Sequence, residues 1–417
     1  MPCAPNPWDL RSATGITAAL VLPGLLIGRA VAEGFLVLTC LLFLAQILFG
    51  ASEIDDTPIP RPLMFLFLTW ANLSLVTLFL TGISSDFLSI LAWGRFPIFL
   101  WAWIQWIDHN DQNRSLLGFG CATVFAALIF DGYFQYFSGF SIAGYAKFDS
   151  RLTSFLNKPC VGLFLSWLFL PLLIFAHKVF PQTNYKKPIL LGIFSVAFTL
   201  IFLTGDRTAF LLLTFGLLAM AAFMCLQSPS LLKSVLPILG TALLLITSLV
   251  IFEQHMQKRA LLLIEQILNF KKSSYANLFQ TAFQMAEQSP WWGFGFNGFR
   301  DFMSITSLND PTAYKGLHPH NFYLEVLSEG GIFSLIPFIG SVLTLFWWAR
   351  KHPDTSLRPV YMAYILVLFW PLAANVSFFS NLTSLMLFPP LSLLFSLKKP
   401  FNFNKFLSFY SQKNIEL

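Results

Sequence analysis

The sequence predicts an all-α polytopic membrane protein with about twelve transmembrane helices, and its composition carries that prediction. Of the 417 residues, 56% are hydrophobic and only 11% are charged, whereas soluble domains carry about 25% charged residues. A helix needs about 20 apolar residues to cross roughly 30 Å of hydrocarbon, so twelve helices use about 240 residues, close to the apolar total. These properties exclude a soluble enzyme, a disordered chain and an outer-membrane barrel, whose strands alternate apolar and polar residues.

The predicted spans are the apolar runs that charged or turn residues bound. They cover residues 14–28, 34–50, 62–81, 87–107, 115–130, 159–176, 188–204, 208–226, 235–252, 331–348, 359–378 and 384–397. No internal repeat or separate soluble domain interrupts them, so residues 1–417 are interpreted as a single integral membrane domain.

The lysines and arginines of the short loops predict the orientation of the spans, because cytoplasmic loops carry an excess of them. With the amino terminus in the cytoplasm, the short outer loops hold Arg29 and Arg207, while the cytoplasmic side holds most of the others. Both termini are therefore predicted to be cytoplasmic. Two long outer segments remain, residues 131–158 and the main loop 253–330, and the functional site is expected in them.

The densest polar cluster lies at the end of the main loop, around His318 and His320. Pro319 favours a helix start, after which Asn321 and Glu325 share one face of the helix. His320 then falls in the first turn, where the helix dipole lowers the pKa of an imidazole and suits it to act as a neutral base. The alternative is a loop with interfacial histidines ahead of a span. For His318 the sequence favours neither interpretation.

Three further groups carry isolated cations. Arg207 lies in a tight hairpin between two apolar runs, where it either reaches lipid headgroups or offers a fork of donors to a phosphate. Asp131 and Gln135 open a second segment that leads to Arg151, either an anion contact or part of an interfacial aromatic loop. The third group opens the main loop and meets headgroups or a bound anion; it comprises His255, Lys258, Arg259, Lys271 and Lys272.

Other chemistries find no support in the sequence. No Ser-His-Asp or Cys-His spacing predicts a nucleophile, and no cluster of carboxylates and histidines predicts a metal. The five cysteines are scattered and are interpreted as small buried hydrophobes. The net charge of +6 is spread over the membrane loops, so no nucleic acid is expected as a partner.

Taken in order, these clusters resemble the O-antigen ligase superfamily of bacterial membrane glycosyltransferases, from about Asp131 to Pro337. The matching pieces are the Asp131/Gln135 segment leading to 151–155, the hairpin 204–209, the segment 286–295 and His320-Asn321 with Gly331 downstream. Two features depart from the pattern. Ser334 occupies the place of a second glycine, and Lys271 and Lys272 stand where the family tends to carry an arginine, with Phe279 in place of a tryptophan.

The resemblance implies transfer of a glycan from undecaprenyl diphosphate to an acceptor, at the periplasmic face of the bacterial inner membrane. It also implies a GT-C-like helical architecture, no cofactor, no metal and inversion of the anomeric carbon. Arg207, with Arg151 or Lys272, would hold the diphosphate, and His320 would assist the acceptor hydroxyl. Gln135, Asn321 and Glu325 are the further candidates for substrate contacts.

Four functions stay open at this point. The first is a ligase acting on lipid A–core, and the second is a polymerase that extends a polyprenyl-linked glycan. A protein O-oligosaccharyltransferase is the third. The fourth is a transporter or flippase, which predicts charges deep within several spans; here Arg95 is the main intramembrane charge, which disfavours it.

Overall fold

In the computed structural model, residues 10–49, 58–108, 111–180, 183, 185–227, 274–309 and 318–397 are described, with isolated positions between 236 and 269. These residues form helices and contain no β-strand, which confirms the all-α prediction. The helices are α1 Leu10–Gly24, α2 Arg29–Phe49, α3 Arg61–Thr81, α4 Ser85–Trp93, α5 Arg95–Ala102, α6 Asp111–Ser138, α7 Val161–Val179, α8 Lys186–Leu203, α9 Arg207–Gln227, α10 Ser274–Gln288, α11 Gly298–Asn309, α12 Phe322–Arg350, α13 Arg358–Phe369 and α14 Asn381–Ser396.

Within the described residues, seven helical segments are long and apolar enough to cross a membrane. They are Arg29–Phe49, Arg61–Thr81, Ser85–Ile107, Asp111–Ser138, Val161–Val179, Arg207–Gln227 and Phe322–Arg350. Shorter apolar helices accompany them at Pro188–Leu203, Arg358–Phe369 and Asn381–Ser396. The protein is therefore a multi-pass membrane protein. The count of twelve spans stays a prediction, since the predicted span 235–252 lies mostly outside the described residues.

Polar side chains join the helices inside the apolar core, as the bilayer requires of buried donors. The indole N–H groups of Trp93 and Trp103 donate to the hydroxyls of Ser384 and Ser396, at 2.9 and 2.6 Å, and so fix α14 against the α4–α5 region. The Ser341 hydroxyl donates to the carbonyl of residue 62 at 2.8 Å and joins α12 to α3. These bonds hold the bundle whose loops carry the site.

The predicted span 359–378 is wrong at its carboxyl end, because α13 ends at Phe369. Pro371 explains the break: a proline pushes the residue before it out of the helical region, and Trp370 is extended with ψ 123°. Residues 370–380 therefore form a loop between α13 and α14 instead of continuing a helix. Helix α6 also continues past the end of the predicted span 115–130, to Ser138, so the first residues of the predicted segment 131–158 are helical.

Helix α12 is sharply kinked at Gly331, which has a left-handed backbone with φ 63°. The segment 290–295 fills the kink: the N–H of Gly295 donates to the carbonyl of Glu329 at 2.8 Å, and the N–H of Ile332 donates to the carbonyl of Pro290 at 2.8 Å. A Cβ at Gly331 would lie 2.2 Å from the carbonyl oxygen of Trp291. Both the conformation and the space therefore require glycine here, and the predicted span 331–348 starts at this kink.

Replacing Gly331 with alanine is expected to lower the unfolding temperature of the purified protein. The left-handed conformation alone costs a residue with a Cβ about 1–3 kcal/mol, and the contact with the Trp291 carbonyl adds to that. The matched control is Gly192→Ala, because a Cβ at Gly192 meets nothing within 4 Å; in mid-helix that change stabilises by roughly 0.5–1 kcal/mol. Equal unfolding temperatures for the two variants would contradict the packing described for the kink.

Candidate active site

A cavity of about 470 Å³ lies among loops that connect the ends of the helices. Its size falls within the roughly 300–1,000 Å³ of small-ligand sites. Its wall carries four cations and three carboxylates, together with two of the three histidines of the main loop. These residues are Arg29, Arg151, Lys158, Arg300, Asp206, Glu325, Glu329, His318 and His320. Three residues singled out from the sequence, Arg151, Glu325 and His320, thus meet at one cavity.

His320 lies directly before Asn321, the cap of α12, and makes two hydrogen bonds with the backbone of Asn375. Its ring Nδ1 lies 3.0 Å from the carbonyl oxygen of Asn375, and its own carbonyl accepts the N–H of Asn375 at 2.6 Å. Because a carbonyl oxygen can only accept, Nδ1 carries the proton of the neutral imidazole, and Nε2 keeps its lone pair. The ring therefore presents an unprotonated nitrogen that is able to take a proton.

The pKa of His320 is lowered from its ordinary value, mainly by burial and further by the charge of Arg151, while the Asn375 carbonyl opposes the shift. Burial likewise lowers the pKa of His318 to about 3. The backbone N–H of His320 donates a hydrogen bond to the Nδ1 of His318 at 3.1 Å. The sequence predicted His320 in the first turn of a helix, where the helix dipole would lower its pKa. Helix α12 instead begins at Phe322, and burial is the principal cause of the lowered pKa.

This shift predicts how the glycan transfer that the sequence resemblance implies would vary with pH if it depends on neutral His320. Since the folded-state pKa lies below the ordinary value of about 6.5, the imidazole stays neutral above that pH, and the rate should be constant there. It should fall only at lower pH, as His320 takes a proton. Initial rates across the range from about 5 to 8.5 test this. A decline that already begins above about pH 7 would contradict the assignment.

The fold loses stability in the same acidic range, because below about pH 6.5 the unfolded chain binds a proton at this histidine more tightly than the folded chain does. The unfolding temperature is therefore measured at each pH beside the rate. A fall in rate at a pH where the protein stays folded reports on the reaction itself.

Arg151 is presented to the cavity by a tight turn. Asp149 and Ser150 both have positive φ, 45° and 63°, and the backbones of Phe148 and Arg151 exchange hydrogen bonds of 3.0 and 2.8 Å across them, as in two-residue hairpins. The Arg151 Nη2 donates to the carbonyl of Pro159 at 2.8 Å. Its Nε is buried and meets no acceptor in the described part of the chain, so the guanidinium has an N–H donor left for a ligand.

Gln135 and Asp131 hold the segment that carries this turn. The Gln135 Oε1 accepts the N–H groups of Thr153 and Ser154 at 2.8 and 2.9 Å, and its Nε2 donates to the Tyr145 carbonyl at 2.8 Å. Asp131 accepts the N–H of residue 142 at 2.6 Å and the hydroxyl of Ser154. Gln135 is fully buried and does not line the cavity. It orders the backbone beside Arg151.

The hairpin between α8 and α9 lies against that segment. Gly205 has φ 75°, Asp206 caps α9 by accepting the N–H of Ala209 at 3.3 Å, and the N–H of Leu152 donates to the carbonyl of residue 204 at 3.1 Å. Burial raises the pKa of Asp206, and the charge of Arg151 opposes that rise. Arg207 follows directly; it is half-buried and does not line the cavity, although its neighbours Asp206 and Thr208 do.

Three of the lining cations converge beside the start of α7. Arg29, Arg151 and Lys158 all line the cavity. The charges of all three lower the pKa of Cys160, which burial nevertheless raises to about 12. Arg29 and Lys158 were not selected from the sequence as site residues. Arg29 did stand out as one of two basic residues in the short outer loops, and that was the available signal. Arginine and lysine side chains of this kind bind phosphate groups in proteins.

Residues 192–339 match a protein-family model described as O-antigen ligase. The match covers about a third of the chain, and over that part the chain is similar to this family. A search of curated proteins gave no match. The matched region includes the hairpin of Arg207, the kink at Gly331 and His320, whereas the segment of Arg151 precedes it.

Asn321 and Glu325, both within the matched region, have different surroundings. Asn321 caps α12: its Oδ1 accepts the N–H groups of Tyr323 and Leu324, and its Nδ2 donates to the carbonyls of Pro371 and Ala373. It is buried and does not line the cavity. Glu325 does line it, and its two oxygens accept the Ser377 hydroxyl and the N–H of Phe378. Lys272 lies outside the described residues.

Proposed function

We propose that the protein is a ligase that moves a glycan from undecaprenyl diphosphate to lipid A–core at the periplasmic face of the inner membrane. The observation that carries this proposal is one cavity whose wall holds both an imidazole with an unprotonated Nε2 and the three cations Arg29, Arg151 and Lys158. The similarity of residues 192–339 to O-antigen ligases supports the reaction class. The loops that form the cavity connect helices that are long and apolar enough to cross a membrane, which suits a donor whose polyprenyl tail stays in the bilayer.

The cations hold the donor and stabilise its departure. In this proposal Arg29, Arg151 and Lys158 bind the diphosphate, where the guanidinium forks donate paired hydrogen bonds to phosphate oxygens. As the bond between the anomeric carbon and the phosphate oxygen breaks, negative charge grows on the leaving undecaprenyl diphosphate, and preorganised cations stabilise that charge. Arg207, which begins α9 beside the lining residues Asp206 and Thr208, adds a further guanidinium to this group in our proposal.

His320 serves as the general base. Its Nε2 takes the proton from an acceptor hydroxyl while the hydroxyl oxygen attacks the anomeric carbon, and the proton then leaves to solvent. Attack from the side opposite the diphosphate inverts the anomeric carbon. The groups named supply the base and the charge stabilisation, so the proposed reaction uses no metal and no cofactor.

The lipopolysaccharide gel profile of the host lacking this gene tests the proposal, with complementation by the wild type or by His320→Ala. A ligase is expected to leave bare core, with full-length glycan accumulating on the polyprenyl carrier, and His320→Ala should not restore the ladder. Core capped by a single repeat would identify a polymerase instead. An unchanged ladder would contradict both functions.

A further inference from the structure

Two buried hydrogen-bond acceptors in the cavity wall have no donor. They are the Oε2 of Glu329 and the Oδ1 of Asn375, and no group in the described part of the chain donates to either. Glu329 is 3% exposed and Asn375 is 2% exposed, and both residues line the cavity. Leaving a buried acceptor unsatisfied is expensive. A ligand that brings its own donors would remove that penalty.

The two carboxylates on this face of α12 are not equivalent. Glu325 has both oxygens engaged, by the hydroxyl of Ser377 and by the N–H of Phe378 at 2.7 Å. Glu329 lies one turn further on, directly before the kink, where the N–H of Gly295 fixes its backbone carbonyl at 2.8 Å. The bound segment 290–295 thus holds Glu329 in place without occupying its Oε2. Of these two carboxyl groups, Glu329 is therefore the one that keeps an oxygen, Oε2, for a ligand.

The position of Asn375 connects this pair to the reaction centre. Its backbone exchanges hydrogen bonds with His320 in both directions, so its side chain lies next to the proposed base. A ligand group bound by Asn375 and Glu329 is thereby held close to the atom that receives the proton. This is the place where the sugar next to the diphosphate must lie if transfer occurs at His320.

The chemistry of the two acceptors selects the ligand group. A diphosphate has only acceptor oxygens and would satisfy neither of the two acceptors; the cations Arg29, Arg151 and Lys158, which also line the cavity, are the groups that suit it. An apolar group would leave both acceptors unsatisfied. We infer that Glu329 and Asn375 form a sugar subsite, which accepts hydrogen bonds from O–H or acetamido N–H groups of the sugar attached to the diphosphate. The inference rests on the proposed function.

Two probes separate the subsite from the diphosphate site: undecaprenyl diphosphate alone, and undecaprenyl diphosphate carrying one N-acetylglucosamine. Binding of each is measured to the purified full-length protein in lipid nanodiscs. Glu329→Gln keeps the size of the side chain and replaces one of its two oxygens with an NH₂ donor. It is expected to weaken binding of the sugar-bearing probe about tenfold, the upper end of the net worth of one hydrogen bond, and to leave binding of the sugar-free probe unchanged.

The matched control is Glu287→Gln, because Glu287 is exposed on α10 and does not line the cavity; it should change neither affinity. Unfolding temperatures are measured for all variants. Glu329→Asp, which retracts the carboxyl group by one methylene, should give the same selective loss and replaces Glu329→Gln if that variant does not fold.

The outcomes divide cleanly between the two proposals. Equal weakening of both probes by Glu329→Gln, or no weakening of the sugar-bearing probe, would overturn the subsite. If the sugar-free probe binds Arg151→Ala as tightly as the wild type, the diphosphate site fails, while a selective effect at Glu329 would still support the subsite. If the wild type binds neither probe, both proposals fall.

Discussion

Replacing His320 with alanine is expected to lower the rate of glycan transfer by about 10²–10⁴, the usual contribution of a general base. The reason is that Nε2 is the nitrogen the Asn375 contact leaves unprotonated. The measurement is the initial rate of transfer by the purified protein at saturating donor. The matched control is His177→Ala, since His177 is exposed at the carboxyl end of α7, away from the cavity wall.

A rate for His320→Ala within a few-fold of the wild type, at equal protein level, would remove the general base from the account. A low transfer rate of the His320→Gln variant that does not vary with pH would support His320 as the general base. Glutamine accepts a hydrogen bond but does not take up a proton in this range.

Replacing Arg151 with alanine is expected to lower transfer by about 10²–10³, the typical effect of removing one stabiliser of transition-state charge. Arg151 lines the cavity and has a buried Nε without an acceptor in the described chain. Arg151→Lys should be partly impaired, because lysine keeps the charge but loses the fork. Arg350→Ala is the control, since Arg350 is exposed at the far end of α12.

Arg207 is tested in the same assay, because the sequence placed it in the diphosphate site and the structure places it beside the lining residues Asp206 and Thr208. Arg207→Ala is expected to reduce transfer, and Arg207→Lys to recover part of it if the fork geometry matters. Full transfer by Arg207→Ala together with loss by Arg151→Ala would assign the phosphate contact to Arg151 without Arg207.

The hydropathy of the chain predicted the helices well because a span is a local property. The predicted span 62–81 corresponds to Arg61–Thr81, and the span 331–348 starts at the Gly331 kink. The error at 359–378 has a local cause as well: the run stays apolar past Phe369, but Pro371 ends the helix there. Hydropathy alone does not show the effect of a proline on the backbone of the residue before it.

The site was less predictable, because it depends on which loops meet. His320 and Arg151 stood out as polar residues in outer segments, whereas Lys158 acquires its place through tertiary packing alone. Gln135 and Asn321 were selected from the sequence, but neither lines the cavity. A buried amide that binds backbone groups has the same sequence signature as one that binds a substrate, and here backbone groups occupy both side chains.

The most direct test of the central proposal is reconstituted transfer by the purified wild-type protein in proteoliposomes, supplied with an undecaprenyl-diphosphate-linked glycan and lipid A–core. We predict glycan-bearing lipid A–core together with an equal amount of released undecaprenyl diphosphate. Consumption of the donor into longer polyprenyl-linked chains, with the core left bare, would contradict the ligase assignment. Absence of any transfer by a folded protein that binds the donor would contradict the proposed site.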